Sequence, residues 1–139
     1  MTDDTTITQK PKLISEKKYI LVAEDDAFYS QIFKTKLEKE GFDVIVVGDG
    51  VQTLEAVRER KPDLILLDMI MPVKDGFETL EELKADEKLK DIKVVVLSNL
   101  GQEEDIQRAK KLGASSYFVK SNLSIQEMVK HIKNFLGKS

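Results

Sequence analysis

Three carboxylates, a hydroxyl and a lysine stand in this sequence at places where folding alone does not ask for them. Glu24 and Asp25 follow the apolar run Tyr19–Ala23, and Asp68 follows Leu64–Leu67. Ser98 closes the run Val94–Leu97, and Lys120 follows Tyr117–Val119. An apolar run that ends abruptly in a charged group sets that group at the rim of a core. Carboxylates gathered at one rim repel each other unless a cation lies among them. Oxygen donors without histidine or cysteine suit Mg²⁺ or a similar hard ion, which takes one or two protein carboxylates and fills its shell with water and phosphate oxygens. A free carboxylate, a metal, a hydroxyl and a lysine are the parts of a phosphoryl-transfer site, because that chemistry is mainly positioning and neutralisation of oxygens. The carboxylate can itself be the nucleophile and become an aspartyl phosphate.

The elements that must position these groups are legible from the apolar pattern. Short, mostly β-branched runs occur at Tyr19–Ala23, Val44–Val47, Asp63–Leu67, Ile92–Leu97 and Tyr117–Val119. Amphipathic stretches of helix length lie between them, with Phe28, Ile32, Phe33, Leu37 and later Phe77, Leu80, Leu83 at helical spacing. Gly41 and Gly113 stand where helices would end in the left-handed conformation. Ser124 with Glu127, and Asp75 with Glu78, have the spacing of capping boxes. Asp26 stands where the first helix begins, so we assign it as an N-cap and not as a metal ligand. Five strand–helix repeats imply an α/β fold with a parallel sheet covered on both faces. Continuous apolar runs are what strands buried on both faces require. Right-handed crossovers onto both faces force the strand order to reverse, and ligands bind beyond the carboxyl ends of the strands at that reversal. Four of the five strands deliver a polar group to that edge.

Composition narrows the functional classes. The 139 residues are enough for one domain with a real core; they are 41% hydrophobic and 34% charged, with a net charge of −3. That mild acidity argues against a nucleic-acid partner, which a basic face or stripe would attract. With no cysteine, disulfides, thiolate metal sites and cysteine nucleophiles are excluded. The start is polar and acidic, unlike a secretory signal, and no apolar run is long enough to span a bilayer, so a cytoplasmic protein is expected. Residues 1–17 have no regular period and are expected to form a flexible leader, with the domain over 18–139. Gly48-Asp49-Gly50 lacks the third glycine of a dinucleotide fingerprint, having Thr53 there, and Asp49 serves better as a cap. His131 reads as a surface residue of the last helix.

The segments ILVAEDD, LILLDMIMPVKDG, VVVLSNL and SSYFVKS resemble the four signatures of response-regulator receiver domains. The resemblance covers roughly Lys18 to Leu136. It implies a flavodoxin-like (βα)5 sandwich with a five-stranded parallel sheet of order 2-1-3-4-5. It also implies Mg²⁺- or Mn²⁺-dependent transfer of a phosphoryl group to Asp68 from a histidine kinase, a phosphotransfer protein or a small phosphodonor. By the same resemblance Asp25 and Asp68 hold the metal, Glu24 acts on it through water, and Ile70 contributes its backbone carbonyl. Ser98 and Lys120 meet phosphoryl oxygens, and Tyr117 falls on the aromatic switch position coupled to Ser98. Phosphorylation then alters the face of helix four, strand five and helix five toward a downstream protein target. No membrane or nucleic-acid partner is expected, and the protein is a monomer, or a dimer formed on phosphorylation.

Some positions depart from the family pattern. Ser121 follows Lys120 where proline is usual, so a cis peptide there would be costly. Asn99 is larger than the usual residue at the entrance. Ile70 and Leu100 are apolar at the positions that tune loss of the phosphoryl group, which implies slow autodephosphorylation. Only Gly137-Lys138-Ser139 follows Leu136, so a stand-alone, non-enzymatic regulator is expected. Two alternatives are kept. One is a pseudo-receiver that binds partners without phosphorylation. The other is a phosphatase of the haloacid dehalogenase type, which wants an aspartate where Ile70 stands.

Overall fold

The computed structural model describes residues 17–137, so the leader expected over 1–17 lies outside the described residues except for Lys17. The strands are β1 (Tyr19–Ala23), β2 (Asp43–Val47), β3 (Leu64–Leu67), β4 (Lys93–Ser98) and β5 (Ser116–Val119). The helices are α1 (Ala27–Lys39), α2 (Gly50–Glu59), α3 (Gly76–Ala85), α4 (Glu103–Lys111) and α5 (Ile125–Phe135). A short 3-10 turn, Lys120–Asn122, joins β5 to α5. The five strands are all parallel, in the order β2-β1-β3-β4-β5. This is the flavodoxin-like arrangement expected from the sequence.

The long apolar runs follow from burial on both faces. In β1, Tyr19, Leu21 and Ala23 face one core together with Ile65, Leu67, Phe77, Leu80 and Val94, beneath α2 and α3. Ile20 and Val22 face the other, with Phe33, Leu37, Leu66, Leu97 and Ile132 under α1 and α5. A strand with a core on each side needs apolar residues at every position, and β1 and β3 are buried throughout. Truncating one of the fully buried leucines to alanine costs about 2–5 kcal/mol, so the sheet that carries the site is also the centre of the core.

Local signals set the helix ends. The Asp26 carboxylate accepts from the backbone N–H of Phe28 at 2.9 Å and Tyr29 at 3.4 Å. Capping boxes form at Asp75/Glu78 and Ser124/Glu127. Asp49 accepts from Gln52 N at 2.8 Å, while Gln52 Oε1 accepts from Gly48 N, one residue earlier than a capping box would have it. Gly41 and Gly113 take φ of 95° and 107°. In contrast, α4 has no side-chain cap at Gln102 and fully buries only Ala109.

Two expectations are corrected. Phe28 is 68% exposed and not part of the α1 core stripe. The helix phase selects Tyr29, Phe33 and Leu37, four residues apart, and Phe28 falls one step outside it. His131 is half-buried instead of a surface residue: its ring stacks on Phe118 with centroids 4.5 Å apart.

Candidate functional site

β1 and β3 end side by side, with Ala23 opposite Leu67. The pairing continues one residue further. Glu24 N donates to Val47 O and Asp68 N donates to Ala23 O, each at 3.0 Å. The backbones of both acidic residues are therefore held as strand extensions, and the two residues are 4% and 5% exposed. Lys120 reaches across from the end of β5, and its Nζ lies 2.7 Å from Glu24 Oε1 and 3.0 Å from Asp68 Oδ2. Each carboxylate's other oxygen takes a backbone donor. Asp26 N donates to Glu24 Oε2 at 3.1 Å, and Ile70 N to Asp68 Oδ1 at 3.2 Å. Asp26 thus caps α1 with its side chain and steadies Glu24 with its backbone.

Burial pushes the Glu24 carboxyl up to about 7, against the opposing pull of its hydrogen bond to Lys120 and with the Asp68 charge adding to the rise. Burial alone would lower the Lys120 ammonium, but the hydrogen bonds and charges of Glu24 and Asp68 outweigh it, and the net shift is upward. Two buried carboxylates share one ammonium, which leaves the site short of positive charge. Asp25, which is exposed, brings a third carboxylate, and one oxygen from each of Glu24, Asp25 and Asp68 lies within 4.8 Å of the others. A hard-oxygen set of this kind, with too little positive charge, fits a divalent cation.

The other expected residues stand nearby on different duties. Ser98 is fully buried, and its Oγ accepts from Leu100 N at 3.3 Å; it does not cap α4. The Tyr117 hydroxyl donates to the Leu100 carbonyl at 2.6 Å. Burial, reinforced by the charges of Asp105 and Asp68, pushes this phenol up to about 12. Ser98 and Tyr117 therefore both fasten Leu100, in the loop between β4 and α4. Ile70 is 54% exposed at the mouth of the site. Asn99, which follows Ser98, is exposed.

Two loops frame these groups. After Asp68 the chain makes a γ-turn centred on Val73, at φ 68°, closed by Lys74 N donating to Pro72 O at 2.7 Å. Gly76 then starts α3 directly against the strand end: a Cβ there would lie 2.4 Å from the Asp68 carbonyl oxygen. After β5 every described peptide is trans, including that between Lys120 and Ser121. The chain turns through the 3-10 segment with Leu123 N donating to Lys120 O at 3.4 Å.

Sequence reasoning missed Tyr29. Its ring lies 4.4 Å from Lys120 Nζ, centroid to nitrogen. The signal available was an aromatic residue four positions after Asp25, in the first turn of α1.

A parallel sandwich with buried acidic residues, a lysine and a hydroxyl at the carboxyl ends of β1, β3, β4 and β5 defines the class of phosphoacceptor α/β domains. The sequence model for the response regulator receiver domain matches residues 20–133, and the chain belongs to that family. Members are receiver domains of two-component signalling; they accept phosphoryl groups, act with histidine kinases and are not turnover enzymes in general. The DNA-binding response regulator MtrA of Mycolicibacterium paratuberculosis is 46% identical over 70 residues, which is 50% of this chain and 31% of that protein. The chain thus spans about a third of the length of the MtrA relatives it matches. The Mn²⁺-bound response regulator Rcp1 superposes with a TM-score of 0.77 at 32% identity, over 85% of this chain and 93% of that one. The phosphorylated cyanobacterial phytochrome response regulator RcpA gives 0.76 at 34% identity, over 86% and 94%. Among the described residues, no helix is long and apolar enough to cross a membrane.

Proposed function

We propose that this protein is a phosphorylation switch whose acceptor is Asp68. The carrying observation is the Lys120 ammonium clamped between Glu24 and Asp68, with Asp25 completing the acidic cluster. One Asp68 oxygen attacks phosphorus while the bond from phosphorus to the donor breaks. With a histidine kinase or phosphotransfer protein that bond is to an imidazole nitrogen, and with acetyl phosphate it is to the acetate oxygen, so the leaving group departs with the bonding pair. Asp25 and Asp68, with Glu24 through water and the Ile70 carbonyl, would hold Mg²⁺ or Mn²⁺. The ion supplies charge neutralisation for the phosphoryl oxygens.

The chain's own groups do the rest. Lys120 is placed to exchange its bond to Asp68 Oδ2 for one to a phosphoryl oxygen, while Glu24 keeps it in place. The backbone N–H of Ile70 orients Asp68 through Oδ1. The new group carries nearly two negative charges and attracts the Ser98 hydroxyl, whose hold on Leu100 then changes. Tyr117 is fastened to the same residue, so the surface of α4, β5 and α5 is where a downstream protein would read the change.

The test is intact mass after incubation with acetyl phosphate, with and without Mg²⁺, for the parent chain and Asp68→Asn. The chain has no tryptophan, so indole quenching cannot serve. A Mg²⁺-dependent phosphoryl adduct in the parent and none in the variant is expected. An adduct of equal yield in Asp68→Asn, or none in the parent, refutes the assignment.

A further inference from the structure

Lys120 and Tyr29 come from opposite parts of the chain, one from the end of β5 and one from the first turn of α1. They meet with the ammonium over the ring face at 4.4 Å. The ring is itself braced by its own helix. Phe28 packs edge-on to it at 5.6 Å and 76°, and Phe33 lies tilted against it at 5.8 Å and 31°. The lysine is less well held from behind. Its backbone enters a 3-10 turn closed by one long hydrogen bond, and Ser121 and Asn122 are exposed. A cavity of about 20 Å³ borders Lys120 and is lined also by Tyr29, Phe33, Leu97, Leu123 and Met128. Fixing the ammonium therefore falls to what touches the ammonium itself.

We infer that Tyr29 is a positioning residue for phosphoryl transfer, its ring face holding the Lys120 ammonium, by a cation–π contact, where that ammonium meets the incoming phosphoryl oxygen. This rests on Asp68 being the acceptor proposed above. Such a contact strengthens as the cation loses water, and the Lys120 side chain is 5% exposed. A ring face also has an advantage over a third carboxylate. It attracts the cation without adding net negative charge to a site where Glu24 and Asp68 are already crowded. The attraction is broad rather than directed along one bond. The ammonium can leave Asp68 Oδ2 for a phosphoryl oxygen while the ring still holds it.

The experiment compares the parent chain with Tyr29→Phe, Tyr29→Leu and a variant carrying 3,4,5-trifluorophenylalanine at position 29. The fluorinated ring keeps the shape of phenylalanine but loses the negative potential of its face. The rate of adduct formation from acetyl phosphate and Mg²⁺ is read by intact mass, with thermal unfolding as the check on folding. Tyr29→Phe should stay within about twofold of the parent, and both the leucine and trifluoro variants should fall roughly five- to thirtyfold, the range a desolvated ammonium–ring contact supplies. Equal rates for the phenylalanine and trifluoro variants, which match in packing, would overturn the inference. A leucine variant as fast as the parent would do the same. A second readout needs no phosphorylation. The Lys120 methylene signals next to the ammonium should be shifted upfield by the ring in the parent and Tyr29→Phe, and not in Tyr29→Leu. Unshifted signals in the parent dispose of the contact. A parent that shows the shift yet takes no phosphoryl group refutes the acceptor role of Asp68 and, with it, any part of Tyr29 in transfer.

Discussion

Replacing Val73 with glycine should make the protein more stable even though it deletes a side chain. Val73 sits at φ 68°, a region that costs a residue with a Cβ about 1–2 kcal/mol and that glycine enters without penalty. Valine is a poor occupant because its branched Cβ crowds the carbonyl on either side. Little burial is lost in return, since Val73 is 80% exposed. The opposing effect is the larger freedom of glycine in the unfolded chain, about 0.4–1 kcal/mol. The γ-turn hydrogen bond from Lys74 N to Pro72 O involves neither side chain and survives the change. The difference favours the variant by up to about 1.6 kcal/mol and by about 0.8 kcal/mol at mid-range, a rise of roughly 2–5 °C in midpoint for a domain of this size. Thermal and urea unfolding of parent and variant under the same conditions measure it. A variant no more stable than the parent, with the urea slope unchanged, would show that the turn stores no strain and that the argument from φ is wrong.

Other expectations follow from the same structure. Gly50→Ala should destabilise by about 1–3 kcal/mol despite the better helix propensity of alanine, because the new Cβ would lie 2.3 Å from both the Lys74 carbonyl oxygen and Thr79 Oγ1; a raised urea midpoint would contradict it. Ser124→Ala should cost about 1 kcal/mol by removing the cap on α5, read as a lowered unfolding midpoint. The Tyr117 phenol ionises at about 12 in the folded chain against 10 in the unfolded one, so the folded state keeps its proton longer. The stability this provides is complete below pH 10 and is lost as pH rises through about 12. Alkaline unfolding of Tyr117→Phe should lack that loss, and an unchanged profile would count against the burial of the hydroxyl.

Much of this architecture is legible in the sequence because its signals are local. β1, β3 and β4 show as uninterrupted apolar runs since both their faces are covered. The caps at Asp26, Asp75 and Ser124 involve partners within three residues. Glu24, Asp68 and Lys120 stood out because each follows a buried run where nothing about packing calls for charge. Their meeting was implied once the strands were taken as parallel. What escaped depended on contacts that no local pattern encodes. The Tyr29 ring meets Lys120 across the fold, the one from the first turn of α1 and the other from the end of β5, far apart in sequence. Phe28 fits the helical spacing of Ile32 but yields its place in the core to Tyr29 by one step of helix phase. Val73 hid its turn, because a branched residue is the wrong sign for positive φ. His131 gave no hint of the Phe118 ring that half covers it.

The two loops beside Asp68 are anchored very differently. On one side Gly50 N donates to the Lys74 carbonyl, Gly76 N donates to Met69 O, and both glycines are packed too closely to accept even a methyl group. On the other side the loop after β4 hangs from Leu100 by one hydrogen bond to Ser98 and one to Tyr117, and leads into a helix with no side-chain cap and one fully buried residue. The site is in effect a vice with one fixed jaw and one sliding jaw. If Asp68 is the acceptor proposed above, a phosphoryl group closed between them would meet less resistance from the sliding jaw than from the fixed one. Its size would be registered on the surface of α4, while the α2–α3 side stays where folding left it.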